Sequence, residues 1–183
     1  MPGMVHKRNS QKPGHNGHVA QANRAVRKSF LDLPASKTSP AIEGLNQVLA
    51  ETLNLRDLYK KHHWQASGPT FYMLHLLFDK HYEEQTKLAD MIGERVQTLG
   101  GIAVAMGADV AEITQTPRAP RGRERTHDQI ARLIHAHDIL LAAARKEAEA
   151  AEERDDLATN DLLVSDVLRV NELQVWFLSQ HIL

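Results

Sequence analysis

The sequence predicts an all-α protein: a bundle of four long helices with one long crossover between the second and the third, preceded by a flexible N-terminal arm. Three observations carry this. Apolar residues return at helical spacing through four long stretches, and no stretch alternates with the period of two that a strand requires. Glycine and proline gather between those stretches, and neither occurs from Arg123 to Leu183. The first and third connections are short and the middle one is long, which separates a crossover bundle from a simple up-and-down one.

Taken in order, residues 1–18 mix Gly, Pro, Asn, Ser, His and Lys with almost no apolar content and read as disordered. Val19, Ala22, Val26 and Phe30 have helical spacing and suggest a short docking helix. Ser39-Pro40 looks like an N-cap followed by proline at the first helical position, so the first long helix is expected over about 40–66, with Ile42, Leu45, Leu49, Leu53 and Leu58 inward. Gly68-Pro69 breaks it. The second helix is expected over about 70–99, with Phe71, Leu74, Phe78, Tyr82, Leu88, Ile92, Val96 and Leu99 as its stripe and Gly100-Gly101 as its C-cap. A connection rich in Gly and Pro follows, with one short helix near 108–115. Thr126 and Gln129 resemble a capping box for a third helix over about 126–153. The fourth runs over about 159–181 with Leu163, Val167, Val170, Leu173 and Phe177 inward. Two short connections around one long one make the ferritin-like topology. The chain thus divides into an arm over 1–39 and a bundle over 40–183.

Composition narrows the possible functions. There is no cysteine, which excludes disulfides and thiolate metal sites. No apolar run approaches the roughly 20 residues of a membrane span, and the first 30 residues lack the apolar stretch of a signal peptide, so a cytoplasmic protein is expected. Of 22 Lys and Arg, six lie in residues 1–31 (Lys7, Arg8, Lys12, Arg24, Arg27, Lys28) with no acid among them, which leaves 16 bases against 23 acids on the body. A basic arm on an acidic body suggests a polyanionic partner. The alternative is a solvated tail that happens to be basic.

Five residues carry the candidate chemistry: His63, His75, Asp79, Asp90 and Glu94. His75 and Asp79 are four apart, as are Asp90 and Glu94, so each pair projects from one side of a helix. Histidine with carboxylate suits a borderline metal such as iron. The midpoints of the two pairs are 15 residues apart, roughly 22 Å along a helix, too far for one site. The pairs differ by only about 60° around the axis, so an antiparallel two-fold partner would bring the histidine half of one chain to the carboxylate half of the other. The hairpin at Gly68 sets His63 at the height of His75. The alternative reading is ordinary helix-surface residues. The other ferritin-type signature, Glu-x-x-His on two helices, fails, because its single occurrence at Glu124 and His127 straddles a helix start. His62, His81, His135, His137 and His181 lack a matching partner set and are expected to be solvated or packed.

The segment His63-Trp64-Gln65, Gly68-Pro69, Phe71, His75, Asp79, Asp90, Glu94-Arg95, Gln97, Leu99-Gly100-Gly101 resembles the Dps family (DNA-binding protein from starved cells). The likeness is strongest over these 39 residues and extends more loosely from about Ile42 to Leu183. It implies a hollow homododecamer with ferroxidase sites at two-fold interfaces: His63, His75 and Asp79 from one subunit, Asp90 and Glu94 from its neighbour. The implied reaction is oxidation of Fe²⁺, preferably by hydrogen peroxide, with ferric iron stored in the cavity and DNA spared oxidative stress. Trp64 resembles a family tryptophan that accepts stray oxidising equivalents; packing at the helix end is its other reading. Asp156 and Asp161 correspond to iron-entry pores or, alternatively, to capping and solvated positions. Family members differ in DNA binding. Here the arm would hold phosphates by counterion release without reading sequence, giving a nucleoid-associated protein. The competing function is a nucleoid-binding structural protein whose metal site is vestigial or occupied by zinc.

Overall fold

The computed structural model describes Leu31 and residues 33–182. Among them are α1 (Ala35–Gln65), α2 (Phe71–Thr98), α3 (Gly107–Ile113) and α4 (Thr126–Glu153), then a composite last helix: α5 (Leu157–Asp161), a π-helical segment (Leu162–Leu168) and α6 (Arg169–Ser179). No strand occurs among the described residues, and no helix is long and apolar enough to cross a membrane. The predicted short helix near Val19–Phe30, with the basic residues of the arm, lies outside them.

α1 packs on α2 and α4, and the composite helix closes the bundle against both. Tyr59, Phe78, Leu45, Leu55, Ile92, Leu133, Leu140 and Leu163 fill the centre. α1 starts five residues before the predicted Ser39-Pro40 start. The carbonyl of Pro34 accepts from the N–H groups of Lys37 and Thr38 at 2.9 and 3.2 Å, so the first turn forms upstream of the proline. Pro40 falls in the second turn, where it removes one bond to the exposed Ser36 carbonyl, a group water can satisfy. α1 also approaches α4 closely: a Cβ on Gly44 would sit 1.8 Å from Glu147 Oε2.

Gly68, at φ 87°, turns the chain between α1 and α2. The glycines ending α2 behave as expected. Gly100 adopts φ 86°, its N–H reaches Gln97 O at 2.9 Å, and Gly101 N–H reaches Val96 O at 3.0 Å, the paired bonds of a Schellman cap.

The crossover runs beside α1 from its middle to its end. Asn46 holds Ile102 O and Val104 N, Glu51 holds residues 114–116, and Lys61 holds Glu124. Glu51 is fully buried yet satisfied, accepting from Gln47, Thr114, Gln115 N and Thr116. The connection therefore traverses the bundle and delivers α4 antiparallel to α1.

Two predictions are corrected at the later helices. No capping box forms at α4: Arg125 is the N-cap, and Gln129 Nε2 turns to Glu124 O while Thr126 Oγ1 reaches Ser67 O. In the last helix Leu163, Val167, Asn171, Gln174 and Leu178 are buried and Val170 packs half-buried against the core, whereas Leu173 and Phe177 are exposed. The π-helical turns add a residue to the winding, so the inward face slips by one position from the 3.6-residue expectation. Asp155, at φ 57°, and Asp156 link α4 to α5. Asp156 accepts from Thr159 N and Oγ1 and pairs with Arg95 at 2.6 Å, which makes it the N-cap of α5.

Candidate metal centre

The end of α1 and the start of α2 bring His63, His75 and Asp79 together. The two imidazoles stack, with centroids 3.7 Å apart and planes 21° from parallel. His63 Nδ1 lies 2.8 Å from His75 O, and His75 Nδ1 lies 2.9 Å from His63 O. A carbonyl only accepts, so both Nδ1 atoms must carry the proton. That fixes the tautomer and leaves each Nε2 with a free lone pair, the form that ligates metal. The reciprocal bonds also clamp the hairpin, because each ring is held by the other helix's backbone.

Asp79 lies beside them, its Oδ1 3.8 Å from His63 Nδ1. It is held by a residue the sequence reading passed over: Lys60 Nζ is 2.5 Å from Asp79 Oδ1 and sits 4.6 Å from the Tyr82 ring centroid. The Lys60 hydrogen bond keeps the Asp79 carboxyl below the usual carboxylate range. Lys60 and Asp79 are on different helices, so no spacing within one helix signals the pair.

Asp90 and Glu94 are exposed further along α2, and Asp90 is roughly 16 Å from Asp79 along the axis at ~1.5 Å per residue. Among the described residues no three His, Asp or Glu side chains converge to hold a metal ion within one chain. The five predicted residues thus fall into two separate groups. Beside the carboxylates runs an open groove of about 960 Å³, lined by apolar Leu49, Leu53, Ala89 and Ala103 along with Asp90 and Glu94. Trp64, next to His63, is 73 % exposed and packs on nothing that would make it a core residue of its own chain.

The remaining histidines divide. Among the described residues His127, His135 and His181 are exposed, whereas His62, His81 and His137 are fully buried. The apolar stripe of α2 is interrupted by buried His81 and Gln85 between Phe78 and Leu88, which is the signal in the sequence for a polar centre. Gln85 Nε2 donates to Asn171 Oδ1 at 2.8 Å and Gln174 Oε1 at 2.9 Å. Burial lowers His62 and His81 to about 4 and His137 to about 3, so all three are neutral at pH 7.

Comparison with known proteins agrees with this architecture. Residues 42–183 match the ferritin-like domain family. The chain is 30% identical over 155 residues to the DNA protection during starvation protein of Agrobacterium fabrum, covering 85% of this chain and 95% of that one. It is 32% identical over 140 residues to a nutrient stress-induced DNA-binding protein of a Nostoc species, covering 76% of each. Among solved structures, DpsC from Streptomyces coelicolor superposes with a TM-score of 0.87 at 47% identity, over 90% of this chain and 95% of that chain. A bundle with one long crossover and these relatives along most of its length place the chain in the Dps family of ferritin-like proteins.

Proposed function

We propose that the protein is a Dps-type ferroxidase whose sites form where two subunits meet. His63, His75 and Asp79 of one subunit face Asp90 and Glu94 of the partner subunit, and Fe²⁺ is the substrate. The observation that carries this is the reciprocal Nδ1 bonding, which commits both Nδ1 atoms to backbone carbonyls and leaves the two Nε2 atoms as the donors, with the Asp79 carboxylate 3.8 Å from His63 Nδ1. Donors of that kind suit Fe²⁺. The groove beside Asp90 and Glu94 supports the second half, because its apolar lining gives a partner something to bury next to the carboxylates.

Lys60 holds the charge of Asp79 while no iron is present and yields it to the incoming cation, so the empty site is not an uncompensated anion. Trp64, beside ligand His63, takes oxidising equivalents that escape the site. With hydrogen peroxide as oxidant, two Fe²⁺ give up one electron each, the O–O bond breaks, and two protons complete two waters. The ferric product is stored inside a shell of twelve subunits. The protein works in the cytoplasm, on the nucleoid, where the basic arm holds DNA.

Anaerobic loading with Fe²⁺ followed by a peroxide pulse tests the reading. Ferric absorbance should rise quickly, with about two irons consumed per peroxide by the balance above. Asp90→Ala with Glu94→Ala should lower the rate by at least tenfold and leave the helical circular dichroism intact. Oxidation no faster than in protein-free buffer would remove the ferroxidase assignment and leave a zinc-occupied or vestigial site on a DNA-binding protein.

A further inference from the structure

At the centre of the bundle, Tyr59 is fully buried with its hydroxyl between two fully buried histidines from two other helices. Tyr59 Oη is 2.6 Å from His137 Nε2 and 3.1 Å from His81 Nδ1. The rings meet edge-on, at 5.7 Å and 5.1 Å between centroids. A phenol has one proton to give. The shorter distance assigns it to His137 Nε2, and the phenol oxygen then accepts from His81 Nδ1–H. His137 Nδ1 and His81 Nε2 make no further hydrogen bond of good geometry, Asn171 lies beside the His137 ring, and the His81 ring meets Phe177 edge-on with centroids 6.3 Å apart. Tyr59 is one helical turn before His63 on the same side of α1, with Cβ atoms about 5–6 Å apart. Its ring packs on Phe78, the neighbour of Asp79, at 6.1 Å between centroids.

A buried phenol that loses an electron must lose its proton too, and the Tyr59 side chain is fully buried. It needs a neutral base already hydrogen-bonded to its hydroxyl, and His137 Nε2 is that base. We infer that Tyr59 is a redox-active tyrosine, a reversible one-electron donor to the neighbouring iron site that passes its proton to His137. The role rests on the ferroxidase reading for its oxidant, whereas the chemistry of the Tyr59–His137 pair does not.

The step balances. Hydrogen peroxide takes one electron from Fe²⁺ and one from Tyr59, its O–O bond breaks, and two protons from solvent complete two waters. Iron becomes Fe³⁺, Tyr59 becomes the neutral phenoxyl radical, and its proton rests on His137 Nε2. A second Fe²⁺ then returns one electron, His137 returns the proton, and the phenol is restored. The sum is two Fe²⁺ oxidised per peroxide. A site holding a single Fe²⁺ can thereby complete the two-electron reduction without releasing hydroxyl radical.

The experiment uses the full chain with Tyr72→Phe and Tyr82→Phe, which leaves Tyr59 as its only tyrosine. Iron-free protein is oxidised by flash-generated ruthenium(III) tris-bipyridine and frozen for electron paramagnetic resonance. A phenoxyl signal is expected that disappears with Tyr59→Phe and decays at least tenfold faster in His137→Gln. In unaltered His137 protein, exchange into D₂O should remove a hyperfine coupling from the hydrogen-bonded proton, a readout that needs no folded variant. Absence of the signal, or one blind to both His137→Gln and D₂O, overturns the pair. With Fe²⁺ and peroxide, Tyr59→Phe should raise spin-trapped hydroxyl radical several-fold. An unchanged yield there, beside a normal iron-free radical, overturns the coupling to iron. Failure of the ferroxidase reading itself is seen separately, as absent ferric absorbance in the parent protein.

Discussion

His62 is fully buried near Phe78, and neither ring nitrogen meets a hydrogen-bond partner. Leaving a buried polar group unsatisfied costs on the order of 1–3 kcal/mol, so His62→Leu should stabilise the subunit by about that amount at pH 7. The pH dependence has a defined sign. Unfolded histidines take up protons near pH 6.5, while folded His62 and His81 resist until about 4 and His137 until about 3. Between those values the unfolded chain binds more protons, so the contribution of these three histidines is level well above pH 6.5 and falls as pH drops toward 4. Denaturant titrations at fixed subunit concentration between pH 7 and 4.5 should show His62→Leu removing about one proton from that slope. A slope unchanged by the substitution would mean that His62 is hydrated in solution.

The helix contact at Gly44 makes a sharper demand. Alanine there puts its Cβ against Glu147, which is buried and ion-paired with Arg154 on the far side. Glu147 has little room to retreat without losing that pair, so Gly44→Ala should destabilise by about 1–3 kcal/mol, read as a fall in the thermal midpoint. Helix spans were legible where local rules decide them: α4 occupies 126–153 as expected, because no glycine or proline interrupts its apolar spacing. Local rules misplaced the start of α1. Pro40 resembles a first-turn proline, but buried Thr38 and Ala41 carry the helix a turn upstream. The slip in the last helix was not legible either. Asn171 and Gln174 turn inward to meet Gln85 on α2, a choice made by tertiary hydrogen bonds. The same distinction applies to the site. Four-residue spacing reveals which carboxylates and imidazoles share a face, whereas Lys60–Asp79 and Tyr59–His81–His137 each join different helices and leave no periodic trace.

At the scale of the whole molecule, the two groups on α2 matter only if subunits pair. A chain altered at His63 and His75 keeps its carboxylate half, and one altered at Asp90 and Glu94 keeps its histidine half. Mixing the two under conditions that exchange subunits should restore a fraction of the iron oxidation, because an intact histidine half can then meet an intact carboxylate half. Light scattering should report twelve subunits. No rescue after verified exchange would place each site within one chain.

The arm sets a second whole-molecule expectation, because charge is divided so unevenly along the sequence. Six bases and no acid precede a body carrying 16 bases and 23 acids. The acidic body repels a polyanion, so in the proposed shell the expected DNA affinity comes from residues 1–31, multiplied by the number of copies. Deleting residues 1–28 removes all six bases and keeps every residue from Ser29 onward. The truncated protein should lose DNA retardation on a gel and keep its peroxide-driven iron oxidation. Intact protein should bind duplexes of unrelated sequence about equally, because phosphate contacts carry no sequence information. Its affinity should fall steeply with salt, since each neutralised phosphate releases condensed counterions. If the truncated shell binds DNA with the same salt slope, the arm is a solvated tail and the contacts lie on the body.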